Sequence, residues 1–179
     1  PLDVRRRLGL APGTPLAVNV AALAEPKDHR TLIRAAAAAR PLHPDLHWVI
    51  AGEGPRRASL EAEIARLGIG DRVSLLGYVE EADALIGEAD VFVMSSSEEG
   101  LGSVILHALA LGKPAVATAG GGIADILPPD ALVPVGDHEA LGRKVVSAIT
   151  HPPSSAPLPP QFTAPAMAHG VLAVYRSLL

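Results

Sequence analysis

The chain contains no cysteine. Disulfides, thiolate metal sites and cysteine nucleophiles are therefore excluded. Aromatic residues are only 3% of the 179 positions. The core must be built from Ala, Val, Leu and Ile, which suits close packing of helices on a sheet. Positive charge is also short, since 15 Lys and Arg against 19 Asp and Glu leave a net charge of −4. No Lys/Arg cluster is interleaved with stacking aromatics, so nucleic acid is not an expected partner. No apolar stretch reaches the length of a membrane span, and no charged n-region precedes an apolar one. The expectation is a soluble, cytoplasmic domain. The chain opens at Pro1, which predicts a segment cut from a longer polypeptide.

What is present is a regular alternation. Leu16 to Val20, His47 to Ala51, Val73 to Leu76, Asp90 to Met94, Ala115 to Thr118 and Ala131 to Val135 read as strands. Between them, Asp28 to Arg40, Arg56 to Leu67, Ala82 to Glu88, Gly102 to Leu111 and Asp137 to Thr150 read as helices, several closed by Gly or Pro. Such alternation predicts an α/β domain over residues 1–150, three layers deep, with a six-stranded parallel sheet covered on both faces. Buried parallel strands are continuously apolar, as Val91-Phe92-Val93-Met94 is. His151 to Pro160 is Pro-rich and reads as a linker. Residues 151–179 thus form a linker and a C-terminal helix, with Thr163 as its cap and Pro165 in its first turn. Val171, Leu172, Val174, Tyr175, Leu178 and Leu179 give that helix an apolar face, suited to packing on this domain or on a neighbour.

The richest segment runs from Ser95 to Pro114. It puts two acids and two glycines at a strand-to-helix junction. In open parallel sheets, ligands bind beyond the carboxyl ends of strands and against helix N-termini. Glu99 and the bare backbone at Gly100, Leu101 and Gly102 are therefore candidate ligand contacts, with Glu98 as the register alternative. A second glycine run, Gly120 to Gly122, follows the strand Ala115 to Thr118 and offers further backbone N–H groups to phosphate oxygens. Each feature has a structural reading as well: tight turns need glycine, and a carboxylate at a helix N-terminus is favoured by the macrodipole.

Several motifs stand in order. They are Val20-Ala21-Ala22-Leu23 with Pro26-Lys27-Asp28-His29, then Ile50-Ala51-Gly52-Glu53-Gly54-Pro55, then Asp71-Arg72-Val73 with Leu76-Gly77-Tyr78-Val79. Ser96-Ser97-Glu98-Glu99-Gly100-Leu101-Gly102, Leu111-Gly112-Lys113-Pro114 and Gly121-Gly122-Ile123-Ala124-Asp125 follow. From about Leu10 to Ile149 the chain resembles the C-terminal half of the retaining group 1 (family 4) glycosyltransferases, which have two Rossmann-like domains (the GT-B type). The resemblance implies a nucleotide-sugar donor as substrate, no cofactor and no metal. It also implies an N-terminal acceptor domain of the same polypeptide as partner, with any peripheral membrane contact made only through that half.

Residue by residue, the resemblance places Glu99 at the first Glu of a Glu-x7-Glu motif, against the transferred sugar. Lys27 falls where an ammonium contacts the donor diphosphate. These two are the expected catalytic residues. Gly121, Gly122 and Asp125 would lie along the donor, Asp125 in place of a usual Glu. Two positions depart from the pattern. The second Glu of the motif is His107, and the usual Arg partner of the lysine is Ala22. A carboxylate accepts hydrogen bonds from both ribose hydroxyls, whereas a neutral His accepts one. Eight helical residues rise ~12 Å, about the reach from hexose to ribose. Arg grips phosphate bidentately and Ala cannot.

Two functions remain open at this level. One is sugar transfer to a hydroxyl with retention of configuration. The alternative is an altered, non-catalytic family member that has lost donor binding and serves as a structural partner. A nicotinamide-dinucleotide module is disfavoured, because Ala21-Ala22-Leu23-Ala24 stands where Gly-x-Gly-x-x-Gly is needed.

Overall fold

The computed structural model describes residues 2–151 and 158–177. In chain order the elements are α1 (Val4–Arg7), β1 (Leu16–Val20), α2 (His29–Ala39), β2 (His47–Ala51), α3 (Arg57–Leu67), β3 (Val73–Gly77) and α4 (Ala82–Gly87). They continue with β4 (Val91–Met94), α5 (Ser103–Ala110), β5 (Ala115–Thr118), β6 (Leu132–Val133), α6 (His138–Thr150) and α7 (Ala164–Ser177). The strands form one six-stranded sheet in the order β3-β2-β1-β4-β5-β6, and every pairing is parallel. The predicted α/β, Rossmann-like architecture is what the chain adopts.

Strand side chains alternate between two apolar layers. Ala17, Trp48, Ile50, Val91 and Val93 face α2, α3 and α6. Phe92 and Met94 pack with Ile105, Ala108 and Leu109 of α5, and Leu16, Val18 and Val49 pack with Val4 and Leu85. Alanines let α2 and α6 approach closely. A Cβ on Gly142 would stand 2.7 Å from the carbonyl oxygen of Ala35.

One helix is unannounced by the sequence, one strand is shorter than expected, and part of the linker lies outside the described residues. The first helix, α1, has no long apolar period to announce it. It is held by tertiary contacts, Val4 N–H donating to Glu88 Oε2 at 2.8 Å and Arg5 pairing with Asp90 at 2.7 Å. The last strand is two residues rather than five. Pro128 and Pro129 wind the chain into a 3₁₀ turn up to Ala131, and Pro134 has no N–H to extend a ladder. Most of the predicted linker, residues 152–157, lies outside the described residues, as do Leu178 and Leu179. The C-terminal helix forms, and Met167, Val171, Leu172 and Tyr175 are exposed on it.

This strand order fixes where a ligand crevice opens. From β1 the chain moves outward through β2 to β3, and from β4 it moves the other way through β5 to β6. Loops leaving the carboxyl ends of β1 and β4 therefore part, and ligands of doubly wound sheets bind at such a switch point.

Candidate functional site

Lys27 leaves β1 and Glu99 leaves β4, the two strands that flank the switch point. The structure brings them together: Lys27 Nζ lies 2.5 Å from Glu99 Oε2. The same carboxylate oxygen accepts a hydrogen bond from Ser96 Oγ at 3.0 Å. Glu98 is exposed, while Glu99 is turned inward. Lys27 thus pairs with Glu99 and not with Glu98.

Lys27 sits at the end of a one-turn 3₁₀ helix, Glu25–Lys27. Asp28 follows with φ 40, a left-handed conformation uncommon outside glycine. It caps α2, accepting from Thr31 N–H at 3.2 Å and Thr31 Oγ1 at 2.6 Å. Ser95 Oγ donates to the Lys27 carbonyl at 2.8 Å, and Ser97 N–H donates to the Pro26 carbonyl at 2.9 Å. The lysine loop is therefore sewn to the exit of β4.

The β4–α5 turn is pressed against the glycine run. A Cβ on Gly120, Gly121 or Gly122 would stand 2.2, 2.2 or 2.0 Å from the carbonyl oxygens of Ser96, Glu99 and Gly100 respectively. Thr118 Oγ1 donates to Ser96 O at 2.7 Å beneath them. This corrects one expectation. The amides of Gly120 and Gly122 are spent on Thr118 O at 2.8 Å and Glu99 O at 3.0 Å, so the run acts there by letting two loops touch. Among the described residues, the amides of Gly100, Leu101 and Gly102 find no protein acceptor. Gly102 adopts φ 63 just before α5. Of the three, Gly102 is the N-cap of α5, next to the first-turn amides at which a helix favours an anion.

His107 lies on α5, exposed, with Nδ1 2.8 Å from Asp83 Oδ1 of α4. Because α5 starts at Ser103, only its first turn contributes helical rise between Glu99 and His107, about 6 Å rather than the 12 Å of a continuous helix. Asp125 is exposed at the end of the 3₁₀ turn Gly121–Asp125, and Leu101 is exposed beside the turn. Ala22 is exposed next to the buried Leu23. Its neighbouring backbone is covered by the Gly52–Pro55 turn: a Cβ on Gly52 would meet Ala21 O at 1.9 Å, and Leu23 N–H donates to Glu53 O at 2.8 Å.

Sequence reasoning missed five contributors: Asn19, His29, Ser95, Ser96 and Asp83. Asn19 had a signal, as the one polar residue in Leu16–Val20. It is buried and bonds to His29 at 3.1 Å and to the Val93 carbonyl at 2.8 Å. Burial pushes the His29 imidazole down to about 4, with Asp28 pulling upward and Lys27 adding to the fall. Ser95 and Ser96 had a weak signal in the serine run. Asp83 had none, because only packing brings α4 beside α5. Among the described residues, no group of three His, Asp or Glu is placed to hold a metal ion.

The chain matches the family model for glycosyl transferases group 1 over residues 3–159. It is 30% identical over 155 residues to the 2-deoxystreptamine glucosyltransferase of Streptomyces kanamyceticus, a span of 83% of this chain and 40% of that protein. Among solved structures, Anabaena HepE in complex with UDP-glucose superposes with a TM-score of 0.74 at 25% identity, covering 83% of this chain and 42% of that one. The sucrose-phosphate synthase of Thermosynechococcus elongatus does so at 0.81 and 26%, covering 98% and 48%. The chain spans less than half the length of each of these relatives.

Proposed function

Since the chain belongs to the group 1 glycosyl transferases, we propose that it is the C-terminal, donor-binding half of a retaining, family 4 glycosyltransferase. The observation that carries this reading is the convergence of Lys27 and Glu99, 2.5 Å apart, at the sheet's switch point. The donor is a sugar joined to a nucleoside diphosphate. The UDP-glucose held by HepE supports a uridine nucleotide as the first to try. An acceptor hydroxyl would come from a partner domain of the same polypeptide. No described helix is long and apolar enough to cross a membrane.

In this reading the chemistry is electrostatic. As the bond from the sugar to the diphosphate breaks, negative charge grows on the leaving oxygens. The Lys27 ammonium and the unspent amides of Gly100, Leu101 and Gly102 offset that charge. Glu99 has two tasks. It holds Lys27 in place before the donor arrives, and it presents its remaining acceptor capacity to the sugar hydroxyls. Gly121 and Gly122 keep the turn in position, and Asp125 borders the sugar from the opposite loop. Ala22 leaves the diphosphate one cation short, and His107 meets the ribose with a ring nitrogen instead of a carboxylate.

The second reading, an altered member without donor binding, is favoured by those same two substitutions, Ala22 and His107. Titration calorimetry with UDP, GDP, ADP and their glucose conjugates separates the two. Heat from one nucleotide, lost in Lys27→Ala, is the expected result. No heat from any of them overturns the donor-binding proposal.

A further inference from the structure

The β1–β4 ladder ends at Val18↔Phe92. One residue further, the Val93 carbonyl is taken by the Asn19 side chain, whose Nδ2 donates to it at 2.8 Å. The two strands part there, and the crevice opens. The orientation of Asn19 leaves its Oδ1 facing His29 Nε2 at 3.1 Å. An amide oxygen only accepts, so Nε2 carries the proton and donates. Both residues are 2% exposed. A buried amide and a buried imidazole are costly in an apolar layer unless they bond to each other. Apolar side chains of similar shape would fill the space at no such cost, so packing alone does not account for this pair.

What the pair does is mechanical. It joins β4, through β1, to the first residue of α2, two positions beyond Lys27. With the Ser95 and Ser97 bonds to the Lys27 and Pro26 carbonyls, it ties the lysine loop to β4 and to the segment just beyond it at three points. Glu99 leaves that same strand. We infer that Asn19 and His29 are positioning residues for Lys27, transmitting the register of β4 to the loop that presents the ammonium to Glu99. The consequence for a diphosphate ligand rests on the function proposed above; the placement of Lys27 does not.

The test uses the 179-residue chain, whose only lysines are Lys27, Lys113 and Lys144. Trace acetic anhydride labels lysines in proportion to their free, accessible amine, and Lys113 and Lys144 serve as internal references. The variants are His29→Phe, His29→Gln (which keeps a donor for Asn19) and the double variant Asn19→Leu/His29→Phe. The double variant removes the Asn19–His29 pair together but leaves the Val93 carbonyl without its donor, so its fold is checked by circular dichroism and urea unfolding. Expected is a rise in relative Lys27 labelling of roughly fivefold in His29→Phe and in the double variant, with most of the protection restored by His29→Gln. UDP affinity should fall roughly tenfold in His29→Phe, yet His29→Phe should cost nothing further in a Lys27→Ala background. Unchanged labelling of Lys27 in a folded double variant overturns the inference. So does a UDP penalty from His29→Phe that persists without Lys27. If the wild-type chain binds none of UDP, GDP, ADP or their glucose conjugates while labelling follows His29 as described, the donor reading fails and the positioning role stands.

Discussion

The two ends of the β4–α5 segment are built on different terms. At the strand end, Lys27 and Glu99 keep only 26% and 12% of their side-chain exposure, and each is held by neighbours on several sides. At the helix end, His107 and Asp83 keep 56% and 68% and touch one another across two exposed helix faces. The strand end is over-determined by the fold, because its loops interlock through backbone atoms as well as side chains. A residue on an exposed helix face has few neighbours to satisfy, so the packing beneath α5 does not depend on the identity of His107, which touches only the equally exposed Asp83.

The sharpest way to break the strand end is to push its loops apart. In Gly122→Ala the new methyl would meet the Gly100 carbonyl at 2.0 Å, and both neighbours are backbone that must shift. A loss of about 3 kcal/mol or more is expected in urea unfolding, with a fall of about 6–12 °C in Tm. His107→Ala, on the exposed face, should stay within about 0.5 kcal/mol of the parent. Equal destabilisation by the two would erase the contrast drawn above.

Acid should attack the same end. The folded-state value for His29 lies at about 4, below the ordinary 6.5, because burial disfavours the charged ring. As pH falls, the unfolded chain takes up this proton first. Stability is therefore fully present above pH 6.5 and is lost progressively toward pH 4, by about 3 kcal/mol for this group. His47 is lowered too, mainly by burial, and acts in the same direction. Glu63 behaves separately: hydrogen bonds from Arg66 and Arg34 hold it at about 2, so its contribution goes only between about pH 4.5 and 2. Urea melts at pH 7, 6, 5 and 4 should show the decline, and the slope should flatten in His29→Phe. A flat wild-type profile from pH 6.5 to 4 contradicts the burial argument.

For ligand binding the order of effects runs from Lys27 outward. Lys27→Ala removes a charge-assisted contact worth roughly 1.5–3 kcal/mol, so UDP affinity should drop about 10–100-fold in calorimetry. A loss of less than about threefold would move the diphosphate away from Lys27.

How far the sequence revealed all this depended on the range of the physics involved. Strand and helix periodicity is local, so the alternation from Leu16 to Thr150 mapped directly onto the sheet. The Glu99 turn was legible because glycine and serine betray a turn at a strand exit, whereas Lys27 was legible only through the family resemblance. The closure of the Glu99 turn by Gly120–Gly122 was not legible, since nothing local distinguishes a glycine that exposes its amide from one that spends it on a neighbouring carbonyl. Asp83 and the Asn19–His29 bond were hidden for another reason. Contacts between α4 and α5, or across a parting strand pair, exist only after the layers assemble. The two-residue β6 was overestimated because its apolar residues read as a strand, while the flanking prolines controlled its backbone.

The smallest effect is the most discriminating, and it lies at the helix end. His107→Glu restores a carboxylate able to accept from both ribose hydroxyls, which on its own would tighten UDP binding by about tenfold or more. Asp83, now hydrogen-bonded to His107 at 2.8 Å, would instead face a like charge, and repulsion between exposed carboxylates takes back some tenths of a kcal/mol. The single variant should therefore gain only about threefold to fivefold, and His107→Glu/Asp83→Asn should recover the remainder. With 2′-deoxy-UDP most of the gain should vanish, because one of the two donors to the new carboxylate is gone. Equal gains for UDP and 2′-deoxy-UDP would mean that position 107 does not read the ribose at all, and the exposed face of α5 would have to be assigned to something other than the nucleoside.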